Sequence, residues 1–521
     1  MRKILKTTLL MCCAVLTIGA LTIFALLLWP LTTPPNAGKS ENYALEGVNI
    51  VDVTSGAIHH NRIVLIEQGM IANILSSDER FSGAGFQTIS AHGKYLIPGL
   101  WDMHTHSYKL SPQIHHPLYI ANGVTSVRDM SGCMNRQDSY WACPEDRTQW
   151  TAETLAGKRV SPRYVLQSSY QTNGGNEVPA NFPAYFKLET PTHARELVDY
   201  YTSANVDFIK TYSELSVPQY LNLAHAASNS ALYLAGHKPL RLSLIEAIES
   251  QQKSIEHGRL FLFECYAFIE EFRQLDNPIQ QYNAQLMWRM LNNRNESVCA
   301  VLMEKMANSD TWWVPTLSTL KMSALSRQAE FREDPRLDEV PYIRKSLIWF
   351  PDADRAAGGE VNGKGEFVHA AFYDQAKRSV NAANKAGVKL LAGTDASDSY
   401  VFVGSGLHDE LENLVSAGLT PLQALQAATL SAATFSGLQN QLGSIENGKL
   451  ADAVLLDGNP LENISQVRNI VGVMQYGRYY DAAALDELKT FAIVQAGKAS
   501  ISVKYLWSML TSPLMRMQLA D

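Results

Sequence analysis

The chain has 521 residues, 46% of them hydrophobic and 18% charged, with a formal net charge of −7 and a pI near 6.0. That apolar share supplies a sizeable globular core, and an acidic balance without a basic stripe excludes a nucleic-acid footprint. The length suits a large two-part protein, since one barrel alone takes roughly 250 residues.

The N-terminus departs from that soluble character. Arg2, Lys3 and Lys6 precede an uncharged stretch from Thr7 to Gly38 that is apolar from Leu9 to Trp29. A helix needs about 20 apolar residues to cross a hydrocarbon core, so a transmembrane helix is expected here. Basic flanks stay on the cytoplasmic side, which places the rest of the chain on the periplasmic face of the cell membrane, held by a single pass. The competing reading is a signal peptide, cleaved to release the protein. Signal apolar regions usually span about 7–15 residues, and no small-x-small site follows this one. Residues 1–40 are therefore read as anchor and linker, the latter marked by Pro34 and Pro35.

From 41 to 96 the sequence reads as short strands, with turns at Ser55-Gly56 and Gln68-Gly69. Strand-like and helical runs then alternate over 97–438, the pattern of a parallel barrel. Strands are expected near 99–104, 125–130, 164–169, 207–212, 232–237, 254–257, 312–318 and 389–395. The run Leu407–Ala428 reads as a helix interrupted at Gly418 and restarted at Pro421. Strands return within 439–488, at Asp452–Asp457 and Ile470–Met474, and 489–521 forms a helical tail. Its apolar Trp507, Leu510, Leu514 and Met517 suggest an amphipathic helix docked on its own domain.

Beyond Cys12 and Cys13 in the anchor lie Cys133, Cys143, Cys265 and Cys299. Four cysteines allow three pairings. Locality favours Cys133 with Cys143 and Cys265 with Cys299 as disulfides of an oxidising compartment; the bland alternative is four reduced, buried thiols.

Six residues stand at the ends of the strand-like runs: His104, His106, Lys210, His237, His257 and Asp395. On a strand, alternation puts His104 and His106 on one face. Neutral imidazoles and carboxylates are ordinary ligands of zinc and similar divalent ions. A lysine cannot ligate as an ammonium, but after reaction with carbon dioxide it is a carbamate, an anionic bridge. Each residue has a bland reading: Lys210 reaching water, Asp395 capping a helix, His225 and His408 packing within helical runs. Their joint order along the chain outweighs those readings.

With the motifs PGLWDMHTH (98–106), GVTSVRDM (123–130), DFIKTY (207–212), AGHKPL (235–240), SIEHG (254–258), LLAGTDAS (390–397) and GSIENGKLADAVLLDGNPLENI (443–464), the chain resembles the amidohydrolase superfamily. Within it, the resemblance is to the branch of imidazolonepropionases and of Xaa-Pro and Xaa-Arg dipeptidases. It implies an α/β fold: a (β/α)8 TIM barrel, with one small β-sandwich built from both chain ends. It also implies two divalent metal ions, zinc foremost. His104, His106 and Asp395 would hold one, His237 and His257 the other, and carbamylated Lys210 would bridge them. A hydroxide between the cations would attack the carbonyl of a small-molecule amide, with Asp395 moving the proton to the departing amine. Tyr212, on the same side of its strand as Lys210, would donate to the developing oxyanion or pack as a rim aromatic. Arg128 would grip a substrate carboxylate or hold a loop through an ion pair. Where dipeptidase-like relatives tend to carry a substrate-gripping histidine after paired glycines, this chain has Asn176. The insert 259–310 and the polar segment 327–368 are expected to shape the pocket mouth.

These features point to hydrolysis of a carbon–nitrogen bond, in a dipeptide or an N-acyl amino acid. The alternatives are a lactone, ester or cyclic-amide hydrolase using the same site, and a membrane-tethered binding protein without activity. A homo-oligomer is compatible with either.

Overall fold

The computed structural model of this chain describes residues 2–35, 38–79, 81–135 and 138–518. Its early strands are β1 (Lys39–Ser40), β2 (Tyr43–Val51), β3 (Ile58–Glu67), β4 (Met70–Ser76), β5 (Gln87–Ser90) and β6 (Tyr95–Pro98). Seven more follow: β7 (Leu100–Thr105), β8 (Val124–Asp129), β9 (Arg163–Gln167), β10 (Phe208–Thr211), β11 (Tyr233–Gly236), β12 (Ser254–Glu256) and β13 (Trp312–Val314). The last are β14 (Ala453–Leu456), β15 (Ile470–Gln475) and β16 (Arg478–Asp481).

Both chain ends meet in a single nine-stranded sheet of order β1-β16-β15-β14-β6-β2-β3-β4, with β5 beside β2. The junction is antiparallel, Leu455 opposite Leu96 and Val454 opposite Ile97. Val48, Ile50, Val64, Ile66 and Leu96 from the N-terminal strands share one core cluster with Ala453, Leu455 and Met474. Gln68 and Gly69 turn the β3–β4 hairpin with φ of 52° and 79°, the positive pair that a two-residue turn needs to match strand twist.

The middle of the chain is an α/β fold with a curled parallel sheet. β7-β8-β9 and β10-β11-β12-β13 are parallel throughout. Bridges Ser168 to Phe208 and Thr172 to Thr211 join the two groups. Past β13, Leu390 bridges Trp313, and Ala396 bridges Thr105 at the end of β7. Trp101, Met103, Leu166, Phe208, Ala235, Val314 and Leu391 form one cluster among these strands, with Phe435 packed into it. Two expected elements are shorter than read. β13 ends at Val314 because Thr316 takes a left-handed φ of 40° and the helix Leu317–Leu325 begins there. The segment 389–395 meets its neighbours only through isolated bridges, with Asp395 at φ 69°. The helix expected from Leu407 is split into Ser405–Ser416 and Pro421–Ala427, with Gly418 between them at φ 110°.

Four helices are labelled here: α1 (Arg2–Leu28), α2 (Ala482–Ala496), α3 (Ala499–Thr511) and α4 (Pro513–Gln518). Ile4–Leu28 of α1 is apolar and long enough to cross a membrane, and none of its most apolar window is buried. The tail docks on the body through buried Leu485, Leu488, Ile501, Tyr505, Met509 and Leu514. Cys133 is bonded to Cys143 and Cys265 to Cys299, with Cα atoms 5.2 and 5.0 Å apart.

Candidate metal centre

β7 carries His104 and its next-but-one neighbour His106 to the end of the curled sheet, where the 390–396 segment crosses it. The backbone N–H of Asp395 donates to the His104 carbonyl at 2.8 Å, and the positive φ of Asp395 turns its carboxylate back over the histidines. Asp395 Oδ1 lies 2.7 Å from His106 Nε2 and 3.3 Å from His104 Nε2. The ligand atoms of these three residues all lie within 4.8 Å of one another. From the ends of β11 and β12, His237 and His257 bring their Nε2 atoms to 2.7 Å. Asp395 Oδ2 is 3.6 Å from His257 Nδ1, so one carboxylate touches both histidine groups.

Three of the rings are fixed through Nδ1. His104 Nδ1 meets Glu256 Oε2 at 2.9 Å, His237 Nδ1 meets Ser213 Oγ at 2.6 Å, and His257 Nδ1 meets Thr316 Oγ1 at 2.8 Å. Such partners set the tautomer and leave Nε2 as the free donor to a metal. His104 Nε2 is buried without a hydrogen-bond partner among the described residues, and a metal ion would satisfy its lone pair. Burial also keeps His106, His237 and His257 neutral. It lowers His106 to about 4, with the charge of Lys210 adding to it. It lowers His257 to about 3 against the pull of Asp395, and His237 well below its usual value. Burial alone would raise Asp395, but His104, His106 and His257 outweigh it and hold the carboxyl well below the ordinary range. Neutral imidazoles around an ionised carboxylate are the donor set that a divalent metal requires.

Lys210 is buried on β10. Burial lowers its pKa despite the opposing charges of Asp395, Glu256 and Asp129, which favours the free amine, the form that adds carbon dioxide. Tyr212 stacks on the His237 ring, centroids 4.2 Å apart and 24° between planes. Burial raises its hydroxyl pKa, so it stays a donor.

The centre opens on a cavity of about 530 Å³ lined by Tyr212, Glu214, His237, Lys238, Arg259 and Tyr282, among others. The insert 259–310 supplies Asn277, Ile279, Gln280 and Tyr282 to this wall, while no residue of 327–368 lines it among the described residues.

The description "Amidohydrolase family" matches residues 375–479. A dihydroorotase from Trichlorobacter lovleyi is 34% identical over 92 residues, 16% of this chain and 21% of the relative. This chain thus spans about a fifth of that relative's length. The solved structure of a bottromycin amidohydrolase superposes with a TM-score of 0.69 at 20% identity, covering 92% of this chain and 94% of the other. A Xaa-Pro dipeptidase with methionine bound in its active site superposes with a TM-score of 0.60 at 19% identity, covering 84% of this chain and all of that one (100%). The amidohydrolase match thus covers residues 375–479, and the chain shares the fold of these two solved hydrolases.

The structure brings His104, His106, His237, His257, Lys210, Tyr212 and Asp395 to one end of the curled sheet. It places Arg128 elsewhere. Its fully buried guanidinium donates to Met103 O at 2.6 Å, Ser254 Oγ at 2.7 Å and both oxygens of Glu256 at 2.9 Å. It lines none of the described cavities, and its contacts fit the second of the two readings, an ion pair, placed behind the histidines rather than against substrate. Asn176 belongs to the 3₁₀ turn Gly175–Glu177, and its side chain lies outside the described residues.

Sequence reasoning missed Glu256, Ser213 and Thr316, which orient the ligand rings, and Arg259 in the cavity wall. Glu256 precedes His257 within the SIEHG stretch and Arg259 directly follows that stretch, and this proximity was the available signal. Lys238, beside His237, is a cation already spent. It lies 3.0 Å from Glu264, which also takes Arg273 at 2.8 Å. Arg259 carries no ion pair among the described residues and rests 5.9 Å from the Tyr282 ring.

Proposed function

We propose that the protein is a metal-dependent hydrolase of carbon–nitrogen bonds, acting outside the cytoplasm on a dipeptide or an N-acyl amino acid. In this reading 97–438 is a (β/α)8 barrel, 41–96 and 439–488 are the two parts of a β-sandwich, and 1–40 anchors the chain in the cell membrane. The observation that carries it is the convergence of four imidazoles around ionised Asp395, with His104, His237 and His257 tied at Nδ1 and His104 Nε2 left without a partner among the described residues.

His104, His106 and Asp395 would hold one divalent ion, His237 and His257 a second, with Lys210 as a carbamate between them. When bound, two zinc ions would supply an acidified water and a Lewis acid for the carbonyl. Asp395 accepts the proton of the attacking water and returns it to the departing amine nitrogen, without which an amide anion would have to leave. Tyr212, in the cavity wall, would donate its hydroxyl to the developing oxyanion. Arg259 offers its fork to a substrate carboxylate from the wall next to His257. Glu256, pinned by Arg128, keeps the His104 ring aimed.

The test is turnover by full-length detergent-solubilised protein, loaded with zinc and bicarbonate, against dipeptides, N-acyl amino acids, lactones and esters. Release of amine from the first two classes, abolished by chelation, is expected. Turnover confined to lactones or esters would move the assignment to that chemistry, and metal loading without turnover of any class would leave a binding protein.

A further inference from the structure

Helix α3, Ala499–Thr511, carries a single charge, Lys504, and is apolar on opposite sides. Its inner face, Ile501, Tyr505 and Met509, is buried against the body. Tyr505 is fastened there by its hydroxyl, 2.6 Å from that of Tyr140 and bonded to Arg344. The outer face repeats the apolar pattern at helical spacing: Val503, Leu506, Trp507 and Leu510. Val503 and Leu506 are half-buried, while Trp507 and Leu510 are 53% and 54% exposed. A helix apolar on two opposite sides needs an apolar surrounding on both, yet nothing among the described residues covers Trp507 and Leu510.

The position of α3 beside α1 identifies the surrounding. Lys498 Nζ lies 3.4 Å from Thr32 Oγ1, and Lys504 Nζ donates to the carbonyl of Leu27. As α3 advances, its partners therefore step backwards along α1, so the two run antiparallel. Leu26 and Leu27 are half-covered at this contact, whereas Ile4 to Ala25 and Leu28 are exposed. Leu510 lies six residues past Lys504, about 9 Å further along the axis at 1.5 Å per residue, level with the apolar turns that precede Leu27. If α1 enters a bilayer, Trp507 and Leu510 stand at the depth where its apolar segment begins. Other exposed apolar groups frame the same region: Trp29 at the end of α1, and Tyr342 and Leu347 on the segment that packs against α3 through Arg344. Trp and Tyr next to aliphatic side chains and lysine are the composition of the membrane–water boundary.

We propose that the outer face of α3 is a second membrane contact, lying in the boundary layer of a lipid bilayer beside α1 and holding the body at the lipid surface. It goes beyond the hydrolase reading and does not depend on it. Unlike an ionic patch, such a contact persists in high salt, because it rests on buried apolar area.

The full chain, carrying a specific protease site in the 31–40 linker, is reconstituted into phosphatidylcholine vesicles, cut, and floated in high salt. Wild type and the Trp507→Ser/Leu510→Ser variant are compared, with thermal melting as the check on folding. The cut wild-type body is expected to float with the vesicles, and the cut variant to fall at least tenfold in the bound fraction at an unchanged melting temperature. Equal release of both, or equal retention of both, overturns the proposal. A cut wild type that leaves the vesicles as a dimer, where the variant leaves as a monomer, also overturns it and assigns the face to a second copy. Should the variant not fold, quenching of Trp507 by brominated lipid, read as wild type minus Trp507→Phe, decides: quenching is expected, and its absence overturns the proposal.

Discussion

Glu256→Gln isolates the support behind the ligands from the ligands themselves. The Glu256 carboxylate accepts from His104 Nδ1 on one side and from Arg128 and Ser254 on the other, with every group buried. Burial alone would raise its pKa, but Arg128 and then His104 outweigh it and hold the carboxyl at about 2, from an ordinary 4.5. A difference of that size corresponds to about 3 kcal/mol. The structural argument gives the same magnitude: a buried guanidinium stripped of its counter-ion costs about 3–5 kcal/mol. Because the folded pKa is depressed, this stability is fully present above pH 4.5 and is lost as the pH falls towards 2. Urea unfolding of chelator-treated protein at pH 7 should therefore show a loss of about 3 kcal/mol for Glu256→Gln, shrinking as the pH approaches 2. Zinc affinity should drop about 10–100-fold as the His104 ring loses its orienting anion. Adding Arg128→Met removes the orphaned charge and should recover most of the stability without restoring zinc affinity. A single variant as stable as wild type at pH 7, with unaltered zinc affinity, would refute the reasoning.

Lys210→Ala should lose bound metal and nearly all turnover, with partial rescue by short carboxylic acids; metal analysis and rates with and without propionate check this. Asp395→Asn can still reach a metal weakly but cannot move a proton, so turnover should fall about 10²–10⁴-fold, far more than metal content measured on the same sample. Arg259→Gln should raise KM for substrates with a free carboxylate by about 10–100-fold, the worth of a charged hydrogen bond, and leave KM for the matching carboxamides unchanged. In membranes, Cys133, Cys143, Cys265 and Cys299 should resist alkylation until reductant is added; ready labelling without reductant places the body in a reducing compartment.

The candidate ligands were legible as a group because each sits where a short apolar run stops, and a strand that must feed a parallel neighbour ends where its loop begins. His104, Lys210, His237 and His257 all fall within one residue of their strand ends. Asp395 was legible as a residue but not as a strand end, since its segment bonds to neighbours at single bridges and bends through a left-handed φ. The orienting partners were not legible for a different reason. Glu256 is 152 residues from His104 and Thr316 is 59 from His257; only closure of the curled sheet brings them together, and no local pattern encodes it.

Charge was the least transferable signal. Arg128, Lys238 and Arg259 each follow or precede a motif residue, and the letters alone rank Arg128 first for a carboxylate. Counter-ions reverse that order. Arg128 is spent on Glu256 behind the ligands, and Lys238 on Glu264 in the cavity wall. A paired, desolvated cation has no bidentate face left to offer, whereas Arg259 keeps its fork beside the tyrosines that line the cavity. On the proposed reading, substrate selection would follow from which acids the fold places behind each cation, and Glu264→Gln should partly free Lys238 and lower KM for carboxylate substrates in the Arg259→Gln background, where an unchanged KM would refute the reading.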